Sequence, residues 1–282
     1  MPDPAAVDAR LVRRRFERAA KSYAGASRLE SEIGARMLER LDYMKLAPRR
    51  VLDAGSGPPQ RLLGKRYPQA EVIALDFSLG MLRAGTGWLD VFRKKTSICG
   101  DIARLPIASG AIDLVWSNMA LHWAADPLAA LREFHRVMAV DGLLMFSTLG
   151  PDTLAELRQA AGAARVHDFA DMHDLGDMLV AAGFAEPVMD MERLTLVYAD
   201  GAALLADLRA SGQTSARADS ARGLAGRGFL AALHARLAAQ LREGRLPVSF
   251  EVVYGHAWRA PARRKPNQTE DGRAIVQFAR RR

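Results

Sequence analysis

The feature that most constrains the fold is an apolar run that ends in a carboxylate and breaks into a glycine turn, Val51-Leu52-Asp53-Ala54-Gly55-Ser56-Gly57. Such a run predicts a buried parallel strand that enters a tight turn before a helix, where glycine lets the backbone approach a ligand closely. A second apolar run ends in Asp76, and a third segment ends in Gly100-Asp101-Ile102. Because parallel strands end at one edge of a sheet, we expect these carboxylates to line one crevice, with Asp76 placed to accept hydrogen bonds from ribose hydroxyls.

Two kinds of nucleoside cofactor fit this pattern, a nicotinamide dinucleotide and S-adenosylmethionine. A pyrophosphate needs a third glycine at the helix start and several free backbone N–H groups, whereas Pro58, Pro59 and Gln60 follow Gly57. Each proline removes one backbone donor. The loop therefore argues against a diphosphate and for a cofactor whose charged end is an amino acid. The alternative for any one motif is a purely structural strand, turn and helix, but three motifs in register favour a binding site.

Strand and helix patterns alternate along the rest of the chain. Apolar residues at spacings of three and four between Ser27 and Met44 predict an amphipathic helix that leads into the first strand. We predict strands near 50–53, 71–76, 96–99, 112–117, 142–148, 187–198 and 248–258, with helices near 60–67, 79–85, 127–138, 153–161 and 173–182. This alternation predicts an α/β fold with a doubly wound, mostly parallel seven-stranded sheet.

The domain organisation follows from these elements. We expect a helical N-terminal cap (1–45), an α/β core that binds the cofactor (46–200), a helical, basic lid insertion between the last two strands (201–246), a closing strand of the core (247–260) and a basic, mobile tail (261–282). Residues 201–282 contain 15 Lys and Arg but only 6 Asp and Glu, whereas the net charge of the whole chain is +8. The positive charge is therefore concentrated in the insertion and the tail.

This surplus of positive charge has two interpretations, a solvated basic face and a docking site for an anionic partner. Because no nucleic-acid-binding module and no basic stretch interleaved with aromatic residues is visible, we expect an acidic protein rather than nucleic acid as the partner. The single cysteine, Cys99, is interpreted as a packed strand residue and suits a reducing compartment. No apolar run approaches the roughly 20 residues of a membrane span, and the arginine-rich start lacks an apolar signal core. We expect a cytoplasmic protein with no membrane association and no metal.

The glycine motif resembles the first motif of the class I S-adenosylmethionine-dependent methyltransferases, an acidic residue followed by G-x-G-x-G. Asp53, Gly55 and Gly57 match it, while Pro59 stands where that family has its third glycine. Further blocks resemble one subfamily, the malonyl-acyl carrier protein O-methyltransferases of biotin synthesis; they span residues 16–23, 116–123, 146–154, 207–214 and 246–255. The resemblance covers roughly residues 12 to 259.

The resemblance implies methyl transfer from S-adenosylmethionine to the free carboxylate of malonyl-phosphopantetheine on an acidic acyl carrier protein, which gives the methyl ester that primes pimeloyl synthesis for biotin. It also implies roles for individual residues. Tyr23 closes over the amino-acid end of the cofactor, Asp76 takes the ribose and Asp101 accepts from the exocyclic amine of adenine. The implied cofactor-binding set is Tyr23, Asp53, Ala54, Gly55, Gly57, Asp76, Phe77, Met81, Asp101, Ile102, Ser117 and Asn118. Within this set, adenine lies between Phe77 and Ile102, and the transferable methyl group lies beside Ser117 and Asn118.

The implied reaction explains why no catalytic dyad is apparent. A carboxyl group with a pKa of roughly 4 is already ionised at neutral pH, so the acceptor needs no general base. One cation is needed to recognise that carboxylate, and we expect Arg209 to supply it; the alternative is a surface arginine on an amphipathic helix. Tyr23, Asn118 and Arg209 form the expected catalytic set. His122 and Trp123 are interpreted as packed residues at the substrate floor, the alternative being a histidine base for a neutral nucleophile.

Two other functions remain open at this point. One is an S-adenosylmethionine-dependent enzyme that acts on another substrate, either a small molecule or a protein arginine, as in relatives that assist complex I assembly. The other is a non-catalytic protein of the same fold that acts as an assembly partner. Cofactor binding separates both enzymes from the non-catalytic protein, and the methylated product separates the two enzymes from each other.

Overall fold

The computed structural model describes residues 7–59, 62–84, 96–219 and 226–261. Its strands, numbered in chain order, are β1 (Arg50–Ala54), β2 (Glu71–Asp76), β3 (Thr96–Cys99), β4 (Ile112–Asn118), β5 (Met138–Leu149), β6 (Ala185–Tyr198) and β7 (Leu246–Trp258). Its helices are α1 (Ala9–Ala19), α2 (Tyr23–Ala26), α3 (Arg28–Arg40), α4 (Leu62–Arg66), α5 (Leu79–Ala84), α6 (Pro127–Val137), α7 (Ala155–Ala161), α8 (Met172–Ala181), α9 (Gly201–Ala210) and α10 (Arg227–Ala238). Within the described residues the strands form one seven-stranded sheet in the order β3-β2-β1-β4-β5-β7-β6. The predicted fold class is confirmed.

The order of the strands places a switch point at β1. This strand pairs in parallel with β2 on one side and with β4 on the other, so that Asp53 lies beside Ala74 and Trp116. β7 runs antiparallel to both of its neighbours, β5 and β6. In doubly wound sheets, ligands bind at the carboxyl ends of the strands next to such a switch point. The loops that follow β1, β2 and β4 are therefore the segments that position a site.

Amphipathic helices cover both faces of the sheet. On one face, Ile33 and Met37 of α3 belong to a core that continues into β1, β4 and β7. On the other face, Leu131 and Phe134 of α6 pack in a second core with β1, β4 and β5. All four side chains are fully buried. Their spacing of three or four residues gives each helix one apolar stripe, which explains why it lies flat on the sheet.

The predicted helical insertion between the last two strands carries α9 and α10. The chain that follows α9 contacts the N-terminal segment directly. The N–H of Asp8 donates to the carbonyl oxygen of Ala216 at 2.8 Å, and the guanidinium of Arg15 donates to the carbonyl oxygens of Thr214 and Ser215. Part of the insertion and the N-terminal helices thus form one continuous layer.

Three details differ from the sequence-based expectations. The helix predicted to reach Met44 ends at Arg40 and tightens into a 3-10 turn over Leu41–Tyr43, a common way for a helix to end. The fifth strand starts at Met138 because its pairing with β4 extends across an irregularity in register. The interpretation of Cys99 as a packed residue is wrong. Its side chain is exposed, because β3 is the outermost strand of the sheet formed by the described residues.

Some predicted segments lie partly outside the described residues. The predicted helix at 60–67 is observed only from Leu62, and the predicted helix at 79–85 only as far as Ala84. The predicted basic tail lies outside the described residues except for its first residue, Pro261. The middle of the insertion is described up to Asp219 and again from Gly226.

Candidate active site

The glycine turn after β1 takes a backbone conformation that favours glycine. Gly55 and Gly57 have φ angles of 76° and 58°, in the left-handed region. The N–H groups of Gly55 and Ser56 both donate to the carbonyl oxygen of Leu75, at 2.8 and 3.0 Å. A Cβ atom on Gly55 would lie 2.2 Å from the Cβ of Ala120. Position 55 therefore requires glycine both for its conformation and for the space beside it.

Two buried carboxylates stand at the ends of β1 and β2. Asp76 accepts a hydrogen bond from the N–H of Gly57 at 3.0 Å through Oδ2 and one from the N–H of Ser78 at 2.8 Å through Oδ1. Burial raises the pKa of Asp76 to about 6. Burial, and then the proximity of Asp76, raises the pKa of Asp53 to about 7. Buried carboxylates with raised pKa values favour a ligand that carries positive charge.

A cleft lies at the carboxyl ends of β1, β2 and β4 and is here called the first chamber. Most of the predicted cofactor-binding residues line it, namely Tyr23, Gly55, Gly57, Asp76, Phe77, Met81, Asp101, Ile102 and Asn118. Asp53 lines an adjoining cavity that shares Tyr23 with the first chamber. Ala54 and Ser117 are fully buried and line neither cavity.

Aromatic side chains cover the first chamber. The ring of Phe16, on α1, has its centroid 6.3 Å from that of Tyr23, 6.0 Å from that of Phe77 and 5.5 Å from that of Trp123. The neighbouring Glu17 accepts hydrogen bonds from the start of α5 and the loop before it, which ties α1 to the core. Phe16 was not predicted as a site residue. The signal that could have found it is its place at the start of the block 16–23, which also contains Tyr23.

Glu30 of α3 is another site residue that the sequence analysis missed. It is buried, and burial raises its pKa to about 7. Its carboxylate accepts a hydrogen bond from the side-chain amide of Gln213 in the insertion, and its carbonyl oxygen accepts one from Nδ2 of Asn118 at 2.8 Å. Glu30 therefore connects the insertion to the wall of the first chamber. An acidic residue in the apolar stripe of an amphipathic helix is the signal that could have revealed it.

A further cavity, here called the second chamber, shares Trp123 with the first chamber. Its apolar lining consists mainly of Leu149, Leu154, Leu157, Leu205, Leu208, Phe229, Leu233 and Phe250. Its polar lining consists of Arg165, His167, Arg209, Gln213, Thr214 and Ser215. The second chamber thus combines an apolar body with a few polar groups, as binding pockets for small organic groups do.

The structure places Arg209, the predicted carboxylate anchor, on α9 at the second chamber. Its side chain makes no hydrogen bond or ion pair with any residue in the described part of the chain. Arg165 lines the same chamber, and its guanidinium carbon lies 4.0 Å from the centroid of the Phe229 ring. The structure therefore brings two cations to this cavity, of which the sequence analysis singled out only Arg209.

His122 and Trp123 have different environments despite being neighbours. His122 is buried, its Nδ1 lies 3.2 Å from Oγ1 of Thr148, and it lines neither chamber. Burial, and then the proximity of His167, holds the pKa of His122 well below its usual value. A packed, neutral histidine accounts for these contacts. Trp123, in contrast, forms part of the boundary between the two chambers.

The residues of the first chamber suit S-adenosylmethionine. Gly55, Gly57 and Asp76 line the chamber and Asp53 lines the adjoining cavity, and a cationic ligand would favour the ionised form of the two buried carboxyl groups. The described residues contain no group of three or more His, Cys, Asp or Glu side chains that could hold a metal ion. Among the described helices, none is long and apolar enough to cross a membrane.

Known proteins share this fold. A family model described as a methyltransferase domain matches residues 52–146. The YcgJ protein from Bacillus subtilis matches with a TM-score of 0.58 at 15% sequence identity, over 81% of this chain and 100% of that one. A putative methyltransferase from Bacillus halodurans matches with a TM-score of 0.57 at 15% identity, over 80% of this chain and 98% of that one. Fold and site together define an S-adenosylmethionine-dependent methyltransferase.

Sequence relatives narrow this class. The malonyl-[acyl-carrier protein] O-methyltransferase of Laribacter hongkongensis is 50% identical over 285 residues, which cover 96% of each chain. The protein of the same name from Gallionella capsiferriformans is 47% identical over 282 residues, again covering 96% of each chain. This chain belongs to the malonyl-[acyl-carrier protein] O-methyltransferase family.

Proposed function

We propose that this enzyme transfers a methyl group from S-adenosylmethionine to the free carboxylate of a malonyl group carried by acyl carrier protein. The product is the malonyl methyl ester that primes pimeloyl synthesis for biotin. The observation that carries the proposal is that the two chambers meet at Trp123 and that Arg209 lines the second one. No described residue forms an ion pair or a hydrogen bond with the Arg209 guanidinium. The names of the near full-length relatives support the same acceptor.

The reaction needs positioning more than acid–base chemistry. A carboxylic acid with a pKa of roughly 4 is ionised at neutral pH, so its oxygen is already nucleophilic. S-adenosylmethionine, when bound, supplies a sulfonium methyl group for that oxygen to attack. Burial raises the pKa of the Tyr23 phenol well above its usual value, so Tyr23 stays protonated and covers the cofactor rather than acting as a base. Since both reacting charges fade in the transition state, a dry, aligned pocket does most of the work.

Asn118 is proposed to act by fixing the wall beside the reacting atoms. Its Nδ2 donates to the carbonyl oxygen of Glu30 at 2.8 Å, and its Oδ1 accepts from Oγ of Ser147 at 2.9 Å. With both ends of the amide engaged, the side chain cannot rotate freely. Ser117, fully buried behind this wall, contributes to its packing.

The cofactor roles are proposed on the same basis. Asp76 accepts from the ribose hydroxyls, and Phe77 and Ile102 flank adenine. Asp101 uses Oδ1 to accept from the N–H of Ala103 at 2.9 Å, which leaves Oδ2 for the exocyclic amine of adenine. Met81 packs at the same end, since it lines the first chamber and is almost fully buried.

The second chamber is proposed to hold the malonyl group, with Arg209 pairing with its carboxylate. A guanidinium matches a carboxylate through two parallel hydrogen bonds, which fixes the orientation of the attacking oxygen. The helical cap (1–45) and the insertion (201–246) then act as the lid over the core (46–200). The carrier is proposed to be acidic and to dock on the insertion and the tail, because residues 201–282 hold 15 Lys and Arg against 6 Asp and Glu.

Methyl-labelled S-adenosylmethionine tests the proposal. Incubated with the protein and malonyl-loaded carrier, it should label the malonyl group as a base-labile methyl ester, while unloaded carrier stays unlabelled. A base-stable label on an arginine side chain, or a label only on a small molecule, would assign the enzyme another substrate. Cofactor binding without transfer to any malonyl thioester would instead indicate a non-catalytic partner.

A further inference from the structure

His167 is a buried residue of the second chamber that the proposed reaction does not use. The residue is 4% exposed and lines the chamber between Trp123 and Phe169, with ring centroids 4.8 and 5.1 Å away. Its Nε2 lies 3.0 Å from the carbonyl oxygen of His122. Because a carbonyl oxygen only accepts, Nε2 must carry the hydrogen of the neutral ring. Nδ1 is then left as an acceptor, and no described residue donates to it.

The charges around His167 support a neutral ring. Asp168 lies beside it but pairs with Arg158 and Arg217. Arg15 is also near and donates to carbonyl oxygens of the insertion. Burial is the main influence and holds the pKa of His167 below its usual value. A neutral ring with a hydrogen on Nε2 cannot pair with a carboxylate through Nδ1. It needs a hydrogen-bond donor instead.

Ser215 provides a second unsatisfied polar group in the same chamber. Its Oγ is buried, has no hydrogen-bond partner among the described residues and is not bonded to His167. The backbone of Ser215 is fixed, because its carbonyl oxygen accepts from the guanidinium of Arg15. His167 and Ser215 both line the chamber, so its wall contains one buried, unpaired acceptor, Nδ1 of His167, and one buried, unpaired hydroxyl that can donate, Oγ of Ser215. Leaving such groups unpaired costs free energy, so a ligand that satisfies both gains affinity.

An amide is the chemical group that matches this pair, since it offers one N–H and one carbonyl oxygen. We propose that the second chamber binds an amide in the arm that carries the acceptor thioester, with its N–H donating to Nδ1 of His167 and its oxygen accepting from Oγ of Ser215. This inference rests on the proposed function, because the phosphopantetheine arm of a carrier protein contains amides linked by short alkyl segments. Leu157 and Leu233, which line the same chamber, suit those segments.

Three malonyl thioesters test the proposal. The N-acetylcysteamine thioester has an amide, and in the 2-mercaptoethyl acetate thioester an ester oxygen replaces the amide N–H. The pentanethiol thioester has neither the N–H nor the carbonyl oxygen. On the unaltered enzyme, the amide substrate should have a KM roughly tenfold below that of the ester. The His167→Phe variant should raise the KM of the amide substrate roughly tenfold and leave that of the ester within about twofold. The Ser215→Ala variant should raise the KM of both, but not that of the pentanethiol compound.

Each comparison is between the KM values of different substrates measured with the same variant, so a partial loss of folded protein affects both values equally. His173→Phe is the matched control, because His173 is on α8 with its side chain 84% exposed, and it should change no KM. Equal KM changes for amide and ester in His167→Phe would overturn the assignment of His167, as would an unaltered enzyme that does not distinguish the two substrates. Failure of malonyl-loaded carrier and of all three thioesters to be methylated would instead refute the proposed function, whereas methylation of the carrier alone would overturn the amide assignment.

Discussion

The two chambers are built in different ways. The first chamber takes its polar groups from the ends of β1 and β2, and the backbone already satisfies them in part, as the two N–H groups that donate to Asp76 show. The second chamber is assembled from α7, α9, α10 and the loops beside them, and it contains unsatisfied groups such as Nδ1 of His167. The cofactor half is thus a local product of the sheet, whereas the acceptor half depends on the insertion.

The two chambers also differ in charge. Asp53, Asp76 and Glu30 place buried carboxyl groups in and beside the first chamber, and burial raises the pKa of each, so that a cationic ligand would favour their ionised forms. Arg165 and Arg209 bring positive charge to the second. On the proposed function, a cationic methyl donor and an anionic acceptor would each be directed to the cavity of opposite sign. Changes in one chamber should affect the binding of one substrate and leave the other unaffected.

The largest effect is expected at the glycine turn. Gly55→Ala places a Cβ atom against Ala120 and forces a positive φ on a residue that disfavours it. The free energy of unfolding should fall by about 2 to 5 kcal/mol, and cofactor binding should be lost with it. Urea denaturation and calorimetry measure the two quantities. Gly64→Ala is the control, because no atom lies near its added Cβ in α4 and alanine favours a helix. Equal effects of the two substitutions would contradict the requirement for glycine at position 55.

Arg209→Ala should act on the acceptor alone. The KM for the malonyl substrate should rise roughly 30-fold, and this rise should be larger than the fall in kcat. The reason is that the pairing of Arg209 with the malonyl carboxylate is stronger in the ground state than in the transition state, where the charge of the carboxylate fades. Arg209→Lys should recover only part of the loss, since the forked pairing is absent. Steady-state kinetics measures KM and kcat, with Arg132→Ala as the control variant. Arg132 is exposed on α6 and lines neither chamber. An unchanged malonyl KM, or a weakened cofactor affinity, would remove Arg209 from the site.

Asp76→Ala should have the opposite selectivity. Loss of the acceptor for two ribose hydroxyls should weaken S-adenosylmethionine binding at least about tenfold, the effect of losing hydrogen bonds to a charged group. The malonyl KM should not change. Asp113→Ala is the matched control, because Asp113 also accepts from two backbone N–H groups, those of Arg49 and Arg50, but at the opposite end of β1. Calorimetry that finds equal cofactor affinity in both variants would show that Asp76 does not contact the ligand.

The raised pKa of Asp53 predicts a pH dependence of smaller size. Since burial raises this pKa from 3.8 to about 7, ionising Asp53 destabilises the cofactor-free protein as pH rises from about 4 through 7. A cationic ligand lowers the pKa again, so binding releases a proton and affinity increases with pH. Between pH 6 and 7, S-adenosylmethionine affinity should rise about fivefold, and Asp53→Asn should reduce that rise. Calorimetry in buffers of different ionisation enthalpy detects the proton. Proton uptake on binding would contradict this account.

The same difference between the chambers explains what the sequence could predict. Asp76 could be proposed from the sequence because it ends a strand, and the ends of parallel strands meet at one edge. Phe77 and Ile102 were proposed only through a family resemblance. Phe16 and Glu30 could not be predicted, because their place in the site depends on how α1 and α3 pack against the core. Cys99 was misjudged because a short apolar pattern does not reveal that its strand lies at the edge of the sheet.

The second chamber was beyond sequence analysis for a physical reason. Its walls include Leu157, Arg209 and Phe250, which tertiary packing brings together from distant parts of the chain. Arg209 could be named only through a family resemblance, and Arg165 and His167 gave no local signal. A buried polar group without a hydrogen-bond partner can be identified only from the positions of the residues around it, which the sequence alone does not provide.

A crystal structure with S-adenosylhomocysteine and malonyl-pantetheine tests the division into a donor and an acceptor chamber most directly. The account predicts adenosine in the first chamber beside Asp76 and the malonyl arm in the second. The malonyl carboxylate should lie on Arg209 at the Trp123 boundary, facing the first chamber, with the thioester farther from the cofactor. A separate cavity, lined in part by His122 and Met178, is the alternative location. A malonyl arm bound there, away from Arg209, would contradict the account.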